Sequence, residues 1–175
     1  MSAGVSVVQV PETLDAWRMV AARRRFEGSF PLSAMSRLGG SLADAEGECR
    51  FALEFGRDDT LQVPFAELSI QAGLPLVCQR SLARFVFAVE SVQRLGLIRN
   101  EDEEAALPPG YEALLVPEDG QLRPLDLVED ELVLALPVVP VATDSEPVDR
   151  TWSAGEEEQQ AASPFAALAS LKKKQ

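Results

Sequence analysis

Cys49, Phe51, Leu53 and Phe55 alternate with Glu48, Arg50, Ala52 and Glu54. A period of two puts one set on each face of an extended strand and matches no helix. The same period continues to Ile98, with further strands predicted at residues 61–63, 68–77 and 82–92 and a turn at Gly56-Arg57-Asp58-Asp59. Links this short cannot hold crossover helices, so the strands are predicted to run antiparallel. The fold class that follows is α+β: an antiparallel β-sheet, open to partial closure as a barrel, with flanking helices and a tethered C-terminal helix.

The flanks carry helix signals. After a short strand at residues 5–10, Pro11-Glu12-Thr13-Leu14-Asp15 introduces a helix capped by Thr13 or Asp15, with Leu14, Trp17, Val20 and Ala21 on its apolar face. Arg18 and the run Arg23-Arg24-Arg25 are predicted to close its last turn, where the dipole favours cations. The alternative role for Arg23, Arg24 and Arg25 is a phosphate-contacting patch. Residues 26–32 read as extended, and Ser33 as the cap of a short helical turn through Met35 and Leu38. Residues 100–104 form an acidic loop, and residues 111–116 a strand closed by Pro117-Glu118-Asp119-Gly120. Leu125, Val128, Leu132 and Leu136 recur near helical spacing over residues 126–136, with Glu129, Asp130 and Glu131 expected outward and Pro137 as the stop. Those three acids are either a solvated helix face or a binding face.

Three units are expected: a compact domain at residues 1–141, an acidic flexible linker at 142–163, and a short docking helix at 164–175. In the last, Ser163 reads as N-cap and Pro164 as the first helical residue. Phe165, Leu168 and Leu171 form an apolar stripe ahead of Lys172, Lys173 and Lys174. A helix this short needs a surface to dock on.

Composition then narrows the function. With 46% hydrophobic and 25% charged residues the chain is globular. It has no apolar run of about 18 residues and no leader pattern, so the expectation is a cytoplasmic protein without membrane contact. Two cysteines fit free thiols in a reducing compartment. The absence of histidine removes the commonest general base and the commonest zinc ligand, so no enzyme, metal or cofactor is expected. The net charge of −12 is uneven: residues 101–163 hold two arginines against seventeen acids, −15, and all three lysines stand at 172–174. Such a chain repels phosphate backbones except locally and attracts basic partners.

Cys78-Gln79-Arg80, the acidic helix running from Val128 through Leu136 into Pro137-Val138-Val139-Pro140, and the terminal Ser163-Pro164-Phe165-Ala166-Ala167-Leu168 together resemble the bacterial YceD family of large ribosomal RNA subunit accumulation proteins. Pro11-Glu12-Thr13-Leu14-Asp15 and Phe26-Glu27-Gly28 are similar as well. The resemblance implies a role in synthesis, processing or stability of 23S ribosomal RNA, with large-subunit ribosomal RNA or a basic large-subunit ribosomal protein as partner. It brings no catalytic mechanism. The chain departs from the family at Ser81, where many members have cysteine, and after Val141, where many have histidine. A structural zinc wants four ligands and a redox pair two thiols, so Cys78-Gln79-Arg80-Ser81 reads as a hairpin turn that presents Arg80. The rival reading is a metal-dependent RNA-processing enzyme using Asp126, Glu129 and Asp130, with Asp126 and Asp130 at i,i+4 placed to share a hard cation such as magnesium.

Overall fold

The computed structural model describes residues 10–144. All but the last residue of the strand expected at residues 5–10, nearly all of the expected linker and the expected helix at 164–175 lie outside them.

Strand β1 (Leu14–Asp15) leads directly into helix α1 (Ala16–Ala21). Asp15 is the cap: its Oδ1 accepts the Arg18 amide at 3.0 Å. The helix stops four residues before Arg25, contrary to the sequence expectation. Arg23 takes the left-handed conformation at φ +46°, and Arg25 already belongs to β2 (Arg25–Pro31). Sheet pairing captures the arginine run, with the Phe55 amide donating to the Arg24 carbonyl at 2.8 Å and Arg25 opposite Glu54. A ladder bond to a central strand outweighs one more frayed helical residue.

Strands β2, β3 (Glu48–Arg57), β4 (Pro64–Val77) and β5 (Arg84–Ile98) form the expected antiparallel meander. Cys49, Phe51, Leu53 and Phe55 all point inward, as their spacing requires. Residues 61–63 and the first two residues of the strand expected at 82–92 are turn and loop instead. Asp58 folds residues 58–62 back on themselves by accepting the Thr60 and Leu61 amides, and Leu82 sits at φ +60°. Ser33 lies inside a 3₁₀ turn (Leu32–Ala34) and caps nothing; the following α2 (Ser36–Gly39) starts after Met35. Residues 101–106 wind into a 3₁₀ helix rather than an open loop.

Strand β6 (Glu112–Leu115) pairs with β5 in parallel, the one departure from the antiparallel series. The link before it, residues 99–111, is long enough for the crossover that parallel strands need. The sheet order is β2-β3-β4-β5-β6, and it does not close: β2 and β6 remain its edges. The turn at Pro117–Gly120 leads to β7 (Gln121–Leu122), which pairs with β1.

Helix α3 (Pro124–Ala135) packs against β3, β4 and β5 on one face of the sheet and also meets α2. Phe55, Leu53, Leu68, Leu74, Leu38, Met35, Val128 and Leu132 are fully buried between these layers. Phe30 stacks on Phe51 at 4.7 Å between centroids, and Phe26 meets Phe55 edge-on at 6.5 Å. Among the described residues no helix is long and apolar enough to cross a membrane.

Candidate functional site

The β4–β5 hairpin closes through Cys78, as the turn reading requires: its amide donates to the Ala83 carbonyl and its carbonyl accepts the Leu82 amide. The thiol is wholly buried. It accepts the amides of Ser81 and Ala142, each at 3.4 Å, and the Gln79 amide donates to the Pro140 carbonyl at 2.8 Å. The chain leaving α3 through Pro137 and Pro140 is therefore stitched onto the tip of a hairpin more than sixty positions earlier. Two stretches that stand apart in the sequence form one surface. Around it Val77 and Leu82 on the turn and Val138, Val139 and Val141 on the exit are all exposed, Val138 almost completely at 96%. Exposed apolar side chains gathered at a rigid junction mark an interaction surface more often than chance. Arg80 is exposed on the same turn. The other cysteine, Cys49, is a core residue whose thiol burial pushes up to about 11.

The arginines are not brought together. Arg25 aligns through Glu54 with Glu67, ten positions before Val77 ends β4, so about 30 Å of strand separates it from the Cys78 turn. Arg23 pairs with Asp59 at 2.9 Å, and Arg25 with Glu27 at 2.6 Å and Glu54 at 3.6 Å. Arg24 lies over the Phe26 ring and lines, with Arg18, an open cleft of about 620 Å³ beside Asp15 and Gln121. Of the three consecutive arginines, Arg24 alone faces a concave surface with a second cation.

The acidic residues of α3 are not all outward. Glu129 is 4% exposed and Glu131 is 7% exposed, while Asp130 faces water. Glu129 reaches the start of α2, where its Oε1 accepts the amides of Arg37 at 2.6 Å and Leu38 at 3.1 Å and its Oε2 accepts Arg37 Nε at 3.2 Å. Arg37 also pairs with Asp130. A helix too short to cap itself is thus capped from α3. Burial pushes Glu129 up, but the Leu38 and Arg37 amides and then the Arg37 guanidinium outweigh it and hold the carboxyl below the usual range. Asp126 pairs with Arg123 at 3.4 Å. Asp126 and Asp130, which the rival reading pairs on one cation, are engaged by Arg123 and Arg37, and among the described residues no three side chains suited to metal converge. Arg37 is the functional partner that sequence reasoning misses, since nothing local links it to a glutamate 92 positions away.

Glu131 has no such partner. It faces a cleft of about 300 Å³ between α3 and β6, lined by Leu95, Leu114, Leu127 and Glu112. Burial, then the charges of Glu112 and Asp130, raise its carboxyl above the usual range. Pro164, Phe165, Leu168, Leu171 and Lys172 to Lys174 lie outside the described residues.

The fold is an open α+β sheet with one helical layer and an exposed apolar junction where the exit from α3 meets the Cys78 turn. Residues 66–172 match the family described as Large ribosomal RNA subunit accumulation protein YceD, and the chain belongs to that family. A protein of Haemophilus influenzae named Large ribosomal RNA subunit accumulation protein YceD is 28% identical over 172 residues, 95% of this chain and 98% of the relative. No solved structure matches the chain. The family match takes in the Cys78 turn, α3 and the Pro137–Pro140 exit.

Proposed function

We propose that this protein is a non-catalytic factor that supports accumulation of large-subunit ribosomal RNA, and that it does so by holding a basic protein component of the growing particle. Family membership over residues 66–172 carries the first half of this reading. The second half draws on charge. The arginine patch that would have argued for direct RNA contact is largely neutralised, Arg23 by Asp59 and Arg25 by Glu27 and Glu54. The segment 101–163 remains strongly acidic. Direct RNA contact has one observation in its favour, the cleft that Arg18 and Arg24 share.

The test is made in a strain lacking the gene, comparing 23S with 16S ribosomal RNA and sedimenting the tagged protein. A selective fall in 23S RNA, reversed by the wild-type protein and accompanied by its cosedimentation with large-subunit precursors, is the expected result. Unchanged 23S RNA ends the proposal. Arg18→Ala with Arg24→Ala separates the two binding modes, since rescue by this variant rules against the RNA cleft.

A further inference from the structure

Glu131 is 7% exposed as a residue, its carboxylate oxygens keep contact with solvent, and the structure shows them no hydrogen-bond or ion-pair partner among the described residues. Partial burial of a carboxylate against apolar walls carries a desolvation cost that an opposing cation offsets. The charged groups around it make matters worse. Glu112 reaches the cleft from β6, where it stands level with inward-facing Leu95, and Asp130 adds negative charge from Glu131's own helix. Arg37, the cation packed against α3, is engaged by Glu129 and Asp130, and among the described residues no arginine or lysine lines the cleft. The remaining walls are apolar, and Leu134 at the rim is 75% exposed.

We propose that the cleft between β6 and α3 is a docking groove for a lysine- or arginine-bearing apolar segment of a partner protein. This rests on the functional reading above and names the site at which the basic component is held. The cation fills the place opposite Glu131 and Glu112, and apolar neighbours cover Leu134 and Leu114. Because β6 is the sheet's edge strand, its outer backbone groups stand beside the groove and are available to an extended segment. Nucleic acid is disfavoured here, because its phosphates would face three carboxylates. Docking a cation also lowers the proton affinity of Glu131, so the segment binds more tightly as pH rises through the range where that carboxyl ionises.

The experiment uses the full chain and a short fluorescent peptide of alternating leucine and lysine, followed by anisotropy at about 0.15 M salt. Reference peptides carry serine for leucine or glutamate for lysine. Glu131→Gln is expected to weaken binding of the leucine–lysine peptide at least about tenfold, as truncation of a desolvated charge pair does. Leu134→Ser weakens it as well. The double variant Glu101→Gln/Asp102→Asn removes more charge at an exposed site and is expected to change binding by less than about twofold. Both reference peptides bind more weakly than the leucine–lysine one. Equal binding by wild type and Glu131→Gln overturns the groove, whether or not the protein sediments with precursor particles. So does a loss that simply follows total charge in both variants. Peptide binding that tightens about tenfold when residues 164–175 are deleted would assign the groove to the chain's own tail. A dimer dissolved by Glu131→Gln would assign it to a second copy. Single-stranded RNA competing at the same site would make it a nucleic-acid surface. Each of these three results also overturns the proposal.

Discussion

Glu129 and Glu131 stand two residues apart on one helix and are pushed in opposite directions. Glu129, held below the usual glutamate range by the α2 amides and Arg37, contributes stability that is present above its unfolded-state pKa and lost as pH falls through the folded value. Glutamine cannot accept from both amides and Arg37 as a carboxylate does. Glu129→Gln should therefore lower unfolding free energy by about 2 kcal/mol at pH 7. That gap should shrink as pH falls below about 4. Glu131 is raised, first by burial, so the sign reverses. Stability is unaffected by its charge below the unfolded pKa and is lost as pH rises through the folded value. Glu131→Gln should then raise stability modestly at pH 8, an effect reduced by solvent screening, and leave it unchanged near pH 4. Urea unfolding of the two variants at both pH values checks the pair. Shifts of the same sign would show that the two carboxylates do not differ as the geometry requires.

The two turns that join elements carry specific demands. Gly120 holds φ +72° while its carbonyl accepts the Ala16 amide at the start of α1, and an added Cβ would lie 3.3 Å from Trp17. Gly120→Ala combines left-handed strain with that contact and should cost about 1–2 kcal/mol in thermal unfolding, with the fold retained. At the other turn, the Cys78 thiol receives amides from its own hairpin and from the exit after α3. Serine keeps an acceptor there and alanine does not. Cys78→Ala should therefore be less stable than Cys78→Ser by about 1 kcal/mol, with faster hydrogen exchange at Ala142 only in the alanine variant. Equal exchange in the two would mean that the sulfur does not hold the exit.

At the scale of the whole molecule, the charge of −12 and the terminal lysines separate two kinds of attraction. Deleting residues 164–175 should leave the melting temperature within a few degrees and remove association with precursor particles. Full complementation by the shortened chain would count against a binding role for Phe165, Leu168, Leu171 and the lysines. What the sequence by itself determined is the sheet and its face. The alternation from Cys49 to Phe55 continues through β4, and no other structure satisfies a period of two joined by links of a few residues. It also marked the stretches now joined at the Cys78 turn, through the family resemblance, but without showing that they touch. Tertiary structure alone decided the rest. Arg25 entered a strand because a neighbouring ladder offered its backbone a partner. The link at residues 99–111 could be read either way until β6 settled in parallel. Glu129 and Glu131 follow the outward pattern locally, yet the layer they sit in buries them, one against the amides of a helix 91 residues away and one beside Glu112. Periodicity reports which side of an element is apolar, whereas the partner of a buried charge depends on distant residues that only packing brings within reach.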